Sequence, residues 1–167
     1  MAERETITGK VFDSGRLVAD FTGPCWNIHN LVGDAGSGGI NATGDVMVIQ
    51  TMLYHIAVSP VPVFDIFRRK ISLLFGSFSV NGIFDSATSN IIKSYQEFRS
   101  DTLIAVDGLI HPADYKGRTI TIKWGSPVHL MTITQLHLDC VQGHRSVGGK
   151  DYTIDFKLFH PKLHSHV

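Results

Sequence analysis

The chain has 167 residues, which is room for one ordinary domain or for a small domain with an elaborated second part. Hydrophobic residues make up 43% of it and charged residues 18%, so a core can be buried and wholesale disorder is excluded. The 15 basic residues balance the 15 acidic ones, and this zero net charge argues against nucleic acid and anionic membranes as partners.

The first residues, 1–6, are charged and lack the apolar core of a secretory signal. We therefore expect a protein made in the cytoplasm, which is then delivered to the cell wall or belongs to a secreted or phage particle. The longest uncharged run, 46–64, contains two prolines and predicts no membrane insertion. For Cys25 and Cys140, two buried thiols are the favoured interpretation, and a single long-range disulfide stays open.

The N-terminal part predicts a β-hairpin followed by a loop. Apolar and polar residues alternate over 7–21, with turn residues in the middle. The next segment, 32–44, is rich in glycine, which costs backbone entropy inside a regular element, so it is expected to be a loop. Residues 39–40 (Gly-Ile) stand where a phosphate-binding Walker loop needs Lys and Ser/Thr, and neither a nucleotide nor another cofactor is predicted.

Three helices are predicted after this loop. The first has apolar residues at helical spacing over 46–56, the second begins at about Pro62, and the third begins at Asp85 or Ser86 and reaches Phe98. The candidates for the N-cap of the first helix are Asn41, Thr43 and Asp45. A short helix is also expected to begin at Pro112, because proline suits a first helical position.

Strand-like patterns return near the C-terminus, at 119–123, 128–141 and 152–158. Helices in the middle and strands at both ends predict an α+β fold. In it, a core of three to four helices lies beside an accessory sheet formed by the N- and C-terminal strands. The predicted parts are an N-terminal hairpin segment (1–31), a helical domain (32–116) and a β-rich C-terminal segment (117–167) packed with the N-terminal strands.

Histidines and one cysteine near the C-terminus are the candidate metal ligands. His137, Cys140 and His144 are closely spaced, but in a strand His137 and Cys140 face opposite sides and cannot close around one ion. The remaining candidates are the tail residues His160, His164 and His166. No metal site is predicted; structural or surface histidines are favoured over adventitious metal uptake and over a catalytic zinc.

Two tight turns of the same kind follow two of the predicted helices. In Asn81-Gly82 and in Asp107-Gly108, the glycine accepts a positive φ and the Asn or Asp side chain bonds its own backbone. Gln50 and Gln96 occupy matching places on two of the predicted helices. This repetition predicts an internal duplication of a turn–helix unit.

Three motifs in chain order carry a family resemblance: Ile49-Gln50-x-x-Leu53, then Val80 to Thr88 (Val-Asn-Gly-Ile-Phe-Asp-Ser-Ala-Thr) with Tyr95-Gln96, then Val106 to Pro112 (Val-Asp-Gly-Leu-Ile-His-Pro). They resemble the peptidoglycan-binding domain of the three-helix kind, over about residues 32–115. The chain departs from that family at Asp85 and His111, which replace glycines. It also departs over 57–79, where an extra helix is predicted and where the ligand-binding face could be reshaped.

The resemblance implies a non-catalytic module that binds the glycan or the stem peptide of bacterial peptidoglycan. The residues it leads us to expect at the ligand are Asn81, Asp85, Tyr95, Gln96 and Asp107. One alternative is a structural or adaptor component of a phage tail or contractile injection apparatus, whose terminal strands extend a protein partner's sheet. A second is a cell-wall hydrolase; an enzyme is not predicted, because 118–167 is short for a catalytic part and lacks a spaced His/Asp/His set.

Overall fold

The N-terminal residues form the predicted β-hairpin. The structure is a computed structural model that describes residues 3–100, 104–113, 119–123 and 132–146. Strand β1 (Glu3–Asp13) pairs antiparallel with β2 (Arg16–Asn27). Between them, Ser14 (φ 49°) and Gly15 (φ 80°) are both left-handed, as a two-residue turn that follows the twist of the strands requires.

A third strand joins the hairpin from the C-terminal part of the chain. β3 (Thr119–Lys123) pairs parallel with residues 8–12 of β1, so the sheet order is β2-β1-β3. Parallel pairing needs a long crossover connection, and here β2 and the helical residues 43–98 lie between β1 and β3 in the chain.

Helices make up most of the regular structure outside the hairpin, and the mixed α+β class is confirmed at this level. They are α1 (Thr43–Val58), α2 (Asp65–Ile71, after a 3-10 turn at Pro62–Phe64), α3 (Ser86–Phe98) and α4 (Thr132–Ser146). Within the described residues, no helix alone has the length and apolar character to cross a membrane. Among the described residues, one pair of segments, α1 and 62–71, has that length and apolar character when the two are joined, but they meet at a bend of 108°.

Helix α1 lies at the centre of the core. Its predicted apolar face is confirmed, because Val46, Ile49, Leu53 and Ile56 are all 0% exposed. The predicted capping is wrong: Ala42 is the N-cap and makes no side-chain cap hydrogen bond. Asp45 is used elsewhere, since its carboxylate accepts the backbone N–H groups of His29 (3.3 Å) and Asn30 (3.0 Å) at the end of β2.

The extra helix predicted within 57–79 is confirmed as α2, and it packs on α3. Phe67 of α2 makes an edge-to-face contact with Tyr95 (5.7 Å between ring centroids) and stacks on Phe98 (5.8 Å). Phe64, which precedes α2, and Phe67 are both 0% exposed. This segment therefore contributes to the hydrophobic core rather than forming a surface addition.

The predicted strand at 128–141 is wrong for the residues that the structure describes, because 132–146 form α4. The β-rich description of 117–167 is therefore wrong over that range. Thr132, Ile133 and Thr134 are β-branched and favour a strand locally. Packing overrides this preference, since Ile133, Leu136 and Cys140 recur at helical spacing and are all 0% exposed. The short helix expected at Pro112 is also absent over 111–113, and the strand predicted at 152–158 lies outside the described residues.

Candidate functional site

Gln50 of α1 is completely buried and holds the turn before α3. Its Oε1 accepts the backbone N–H groups of Asn81 (3.0 Å) and Gly82 (2.8 Å), and its Nε2 donates to the carbonyl of Ile83 (2.9 Å). Nε2 also lies 3.0 Å from the hydroxyl of Thr88 in the first turn of α3. One side chain thus joins α1, the turn and α3; we call these residues the first turn cluster.

Gln96 of α3 is buried to the same extent and makes similar contacts with the second turn. Its Oε1 accepts the N–H of Gly108 (2.8 Å), and its Nε2 donates to the carbonyl of Leu109 (2.9 Å) and to Asp107 (3.1 Å). Nε2 also lies 3.4 Å from the hydroxyl of Thr132, the first residue of α4. We call these residues the second turn cluster.

The two clusters confirm the predicted internal duplication. Asn81 and Asp107 each accept, through Oδ1, the backbone N–H two residues ahead at 2.8 Å, and the glycines that follow both have φ 75°. The repeated unit is therefore a helix with a buried glutamine, a glycine turn and a further helix, and in the first unit the segment 59–80, which includes α2, lies between the glutamine helix and the turn. In the second unit the segment 111–131, which includes β3, intervenes between the turn and its helix.

The loop between β2 and α1 contacts the second turn, and the first residue of α1 contacts the first turn. Gly33 closely approaches Leu109, because a Cβ at position 33 would stand 2.3 Å from the Leu109 side chain. Gly82 approaches Thr43 in the same way, at 2.5 Å. Asn41 ties the loop to itself, accepting from the Gly33 N–H (3.0 Å) and donating to the Gly33 carbonyl (2.8 Å). We call the combined surface of residues 33–43, 81–85 and 106–109 the turn face.

The predicted ligand residues divide into accessible and buried ones. Asp107 is exposed, and Asn81 and Asp85 are half-buried on the turn face. Asp85 is also the N-cap of α3 and accepts the Thr88 N–H at 2.7 Å. Tyr95 and Gln96 are 0% exposed, so neither offers a surface to a ligand.

Tyr95 instead belongs to a buried polar cluster between α3 and α4. Its hydroxyl donates to Asp139 (2.6 Å), which also accepts from Arg99 (2.8 and 2.5 Å) and Gln135 (3.0 Å). Burial raises the pKa of Tyr95 well above its ordinary value of 10.0, and the negative charge of Asp139 adds to the effect. Tyr95 therefore stays neutral and donates, and the cluster fixes α4 against α3.

Three exposed apolar residues lie on the turn face and were not among the predicted ligand residues. Ile83 is 62% exposed and Val106 is 48% exposed. The sequence signal that could have found Ile83 is its position directly after the Asn81-Gly82 turn. Its backbone N–H and carbonyl both bond inside the first turn cluster, and its side chain remains exposed. Ile40, in the loop between the turns, is 67% exposed.

His137 and Cys140 both lie in α4, so the predicted strand geometry, in which they face opposite sides, is wrong. Over the ranges that the structure describes, no three His, Cys, Asp or Glu side chains are grouped to hold a metal ion. Cys140 is a buried thiol with its Sγ 3.5 Å from the carbonyl oxygen of Met52, whereas the Cys25 side chain lies outside the described part.

Comparison of the chain with protein-family models, with curated proteins and with solved structures gives no match. The geometry of the turn face and the buried clusters therefore has to support any functional conclusion by itself.

Proposed function

We propose that the protein is a non-catalytic module that binds bacterial peptidoglycan through the turn face. The observation that carries the proposal is the pair of equivalent turn clusters, in which buried Gln50 and Gln96 each fix an Asn/Asp-Gly turn by its backbone. The motifs of the family resemblance are the ones that form these clusters. Because buried side chains hold both turns, the surface they present is rigid before a ligand arrives, which lowers the ordering cost of binding.

The turn face has the chemistry that a wall fragment needs. Asp107 and Asp85 offer carboxylate oxygens as acceptors for sugar hydroxyls and for the amides of a stem peptide, and the Asn81 side-chain amide offers a donor. Ile83 and Val106 offer apolar contact to the C–H faces of a sugar ring or to peptide methyl groups. The proposed partner is therefore a hydroxyl- and amide-rich polymer.

We infer that the fold consists of a peptidoglycan-binding-like helical core and an accessory sheet. Helices α1, α3 and α4, linked by the two turn clusters, form the peptidoglycan-binding-like core, and α2 is inserted between α1 and the first turn and shares the hydrophobic core with them. The strands of the N- and C-terminal segments form the accessory sheet. In this account the protein reaches the cell wall after synthesis in the cytoplasm, and it acts there without a cofactor.

Co-sedimentation of the full chain with insoluble peptidoglycan tests the proposal. We expect the protein to pellet with the wall material and to be released by soluble muropeptides. Asp107→Asn is the informative variant: it removes one carboxylate from the turn face, yet keeps the turn chemistry that Asn81 provides in the first cluster. It should lower the pelleted fraction at unchanged thermal stability, whereas Arg16→Ala at the hairpin turn should not. Failure of the wild type to pellet contradicts the proposal, and clearing of the suspension indicates a hydrolase.

The open edge of the sheet favours a second candidate, a structural or adaptor component of a phage tail or contractile injection apparatus. In the part of the chain that the structure describes, β2 has no strand partner on the side away from β1. Such an edge can accept a strand from a protein partner, although Pro24 offers no N–H there. Size-exclusion chromatography with light scattering discriminates the two: a defined oligomer without wall binding supports the assembly component.

A further inference from the structure

Asn81-Gly82 is the only Asn-Gly sequence in the chain, and this dipeptide carries its own reactivity. The backbone nitrogen after an asparagine can attack the side-chain carbonyl carbon and expel ammonia. Glycine in the following position permits the attack best, because it has no side chain to obstruct it. Asparagine is a heat-labile residue for this reason.

We propose that Asn81 is a spontaneous deamidation site which Gln50 keeps unreactive in the folded protein, so that conversion occurs only when the first turn cluster opens. The inference does not rest on peptidoglycan binding. Asn81 is a residue of the turn face, and the fraction of it that has deamidated reports how often the first turn cluster has opened.

The contacts of the first turn cluster restrain both reacting groups, the Gly82 nitrogen and the Asn81 side-chain amide. The Gly82 nitrogen, which is the nucleophile, donates its hydrogen to Oε1 of Gln50 at 2.8 Å. A neutral amide oxygen does not remove that proton, and the bond directs the N–H away from the Asn81 side chain. The Asn81 amide is held separately: Oδ1 accepts from Ile83 (2.8 Å) and Gln50 (3.3 Å), and Nδ2 donates to Ser79 (2.9 Å).

Once the cluster opens, the reaction needs only water. The Gly82 nitrogen forms a bond to Cγ of Asn81, the Cγ–Nδ2 bond breaks, and Nδ2 leaves as ammonia with the proton from the Gly82 nitrogen. Water then opens the resulting cyclic imide. Addition at Cγ gives aspartate at position 81, and addition at the backbone carbonyl gives isoaspartate. No oxidation or reduction takes place.

The second turn cluster shows what the aspartate product would do. Asp107 occupies the place equivalent to Asn81, accepts the Leu109 N–H at 2.8 Å and lies 3.1 Å from Nε2 of Gln96. An aspartate at position 81 can therefore keep the turn while it adds one negative charge to the turn face. Isoaspartate adds a methylene to the backbone and cannot keep these bonds.

Peptide mapping by mass spectrometry after prolonged incubation at mildly alkaline pH tests the inference. We expect the folded wild type to convert at position 81 at least about tenfold more slowly than the same protein in denaturant, because the reactive population is the open one. Gln50→Leu should convert near the denatured rate. Gln96→Leu is the matched control, since it disrupts the equivalent cluster but leaves the Gln50 contacts in place, and it should stay slow.

Two results would overturn the inference. One is equal conversion of folded and denatured wild type; the other is equal acceleration by Gln50→Leu and Gln96→Leu, which would assign the reaction to global unfolding. If Gln50→Leu does not fold, hydrogen exchange of the Gly82 amide in the wild type decides instead. Strong protection is expected, and exchange at the rate of an exposed amide contradicts the role of Gln50.

Discussion

Thr88 and Thr132 are equivalent residues in two different helices. The hydroxyl of Thr88 lies 3.0 Å from Nε2 of Gln50, and that of Thr132 lies 3.4 Å from Nε2 of Gln96. Each threonine stands in the first turn of its helix and is buried, so each helix start is bonded to the glutamine that also holds the preceding turn. The stability of the turn face should therefore depend on two buried amides.

Replacing either glutamine should be strongly destabilising. Gln50→Leu and Gln96→Leu each leave buried backbone groups of a turn without a partner, and we expect a loss of about 3 kcal/mol in the free energy of unfolding. Chemical denaturation measures it, with Asn90→Ala on the exposed side of α3 as the control. A loss no larger than that of the control would show that the clusters do not stabilise the fold.

The two turn glycines should differ in their tolerance of alanine. Both have φ 75°, which costs a residue with a Cβ about 1–2 kcal/mol. At Gly82 the new Cβ would also meet the Thr43 backbone oxygen at 2.9 Å, whereas at Gly108 it meets the flexible Lys93 side chain. Gly82→Ala should therefore lose more stability than Gly108→Ala. Gly76→Ala, where nothing lies within 4 Å, is the control, and the reverse order would contradict this geometry.

Tyr95 should make the protein sensitive to alkaline pH. Its pKa in the folded state is raised above the ordinary 10.0, so between these two values the unfolded chain has lost the proton that the folded protein keeps. The contribution of Tyr95 to stability is complete below about pH 10 and falls as the pH rises toward the folded pKa. In Tyr95→Phe, stability should decline less steeply above pH 10. Parallel stability curves for variant and wild type would contradict the shift.

Removal of the Asp139 carboxylate should separate α4 from α3. Asp139 is 2% exposed and accepts hydrogen bonds from Tyr95, Arg99 and Gln135, so Asp139→Ala removes the carboxylate that pairs with the mostly buried Arg99 guanidinium. We expect a loss of about 3–5 kcal/mol. Asp139→Asn keeps one acceptor oxygen and should lose less; equal losses would show that the hydrogen bonds contribute nothing.

The sequence predicts the parts of this fold whose signals are local. The hairpin, α1, α2 and α3 follow from alternation, helical periodicity and the Asp85 cap, and the repeated turns follow from Asn81-Gly82 and Asp107-Gly108. Helix α4 could not be predicted in this way. Its first residues, Thr132 to Thr134, favour a strand locally, and the apolar contacts that make them helical come from distant parts of the chain.

The candidate site was predictable only in part. Asn81 and Asp107 could be placed in turns from their sequence, and Gln50 and Gln96 could be matched with each other. The apolar pattern of α3 already favours a core position for Tyr95, but the partner of its hydroxyl could not be foreseen, because Asp139 lies in the helix that the sequence did not predict.

The most direct test of the account is a chemical-shift map of the backbone amides during titration with soluble muropeptides. We expect the perturbed residues to fall within the turn face, at 33–43, 81–85 and 106–109, with the β-hairpin unchanged. Shifts confined to residues 3–27, or no shifts at a saturating concentration of muropeptide, would contradict binding of peptidoglycan at the turn face.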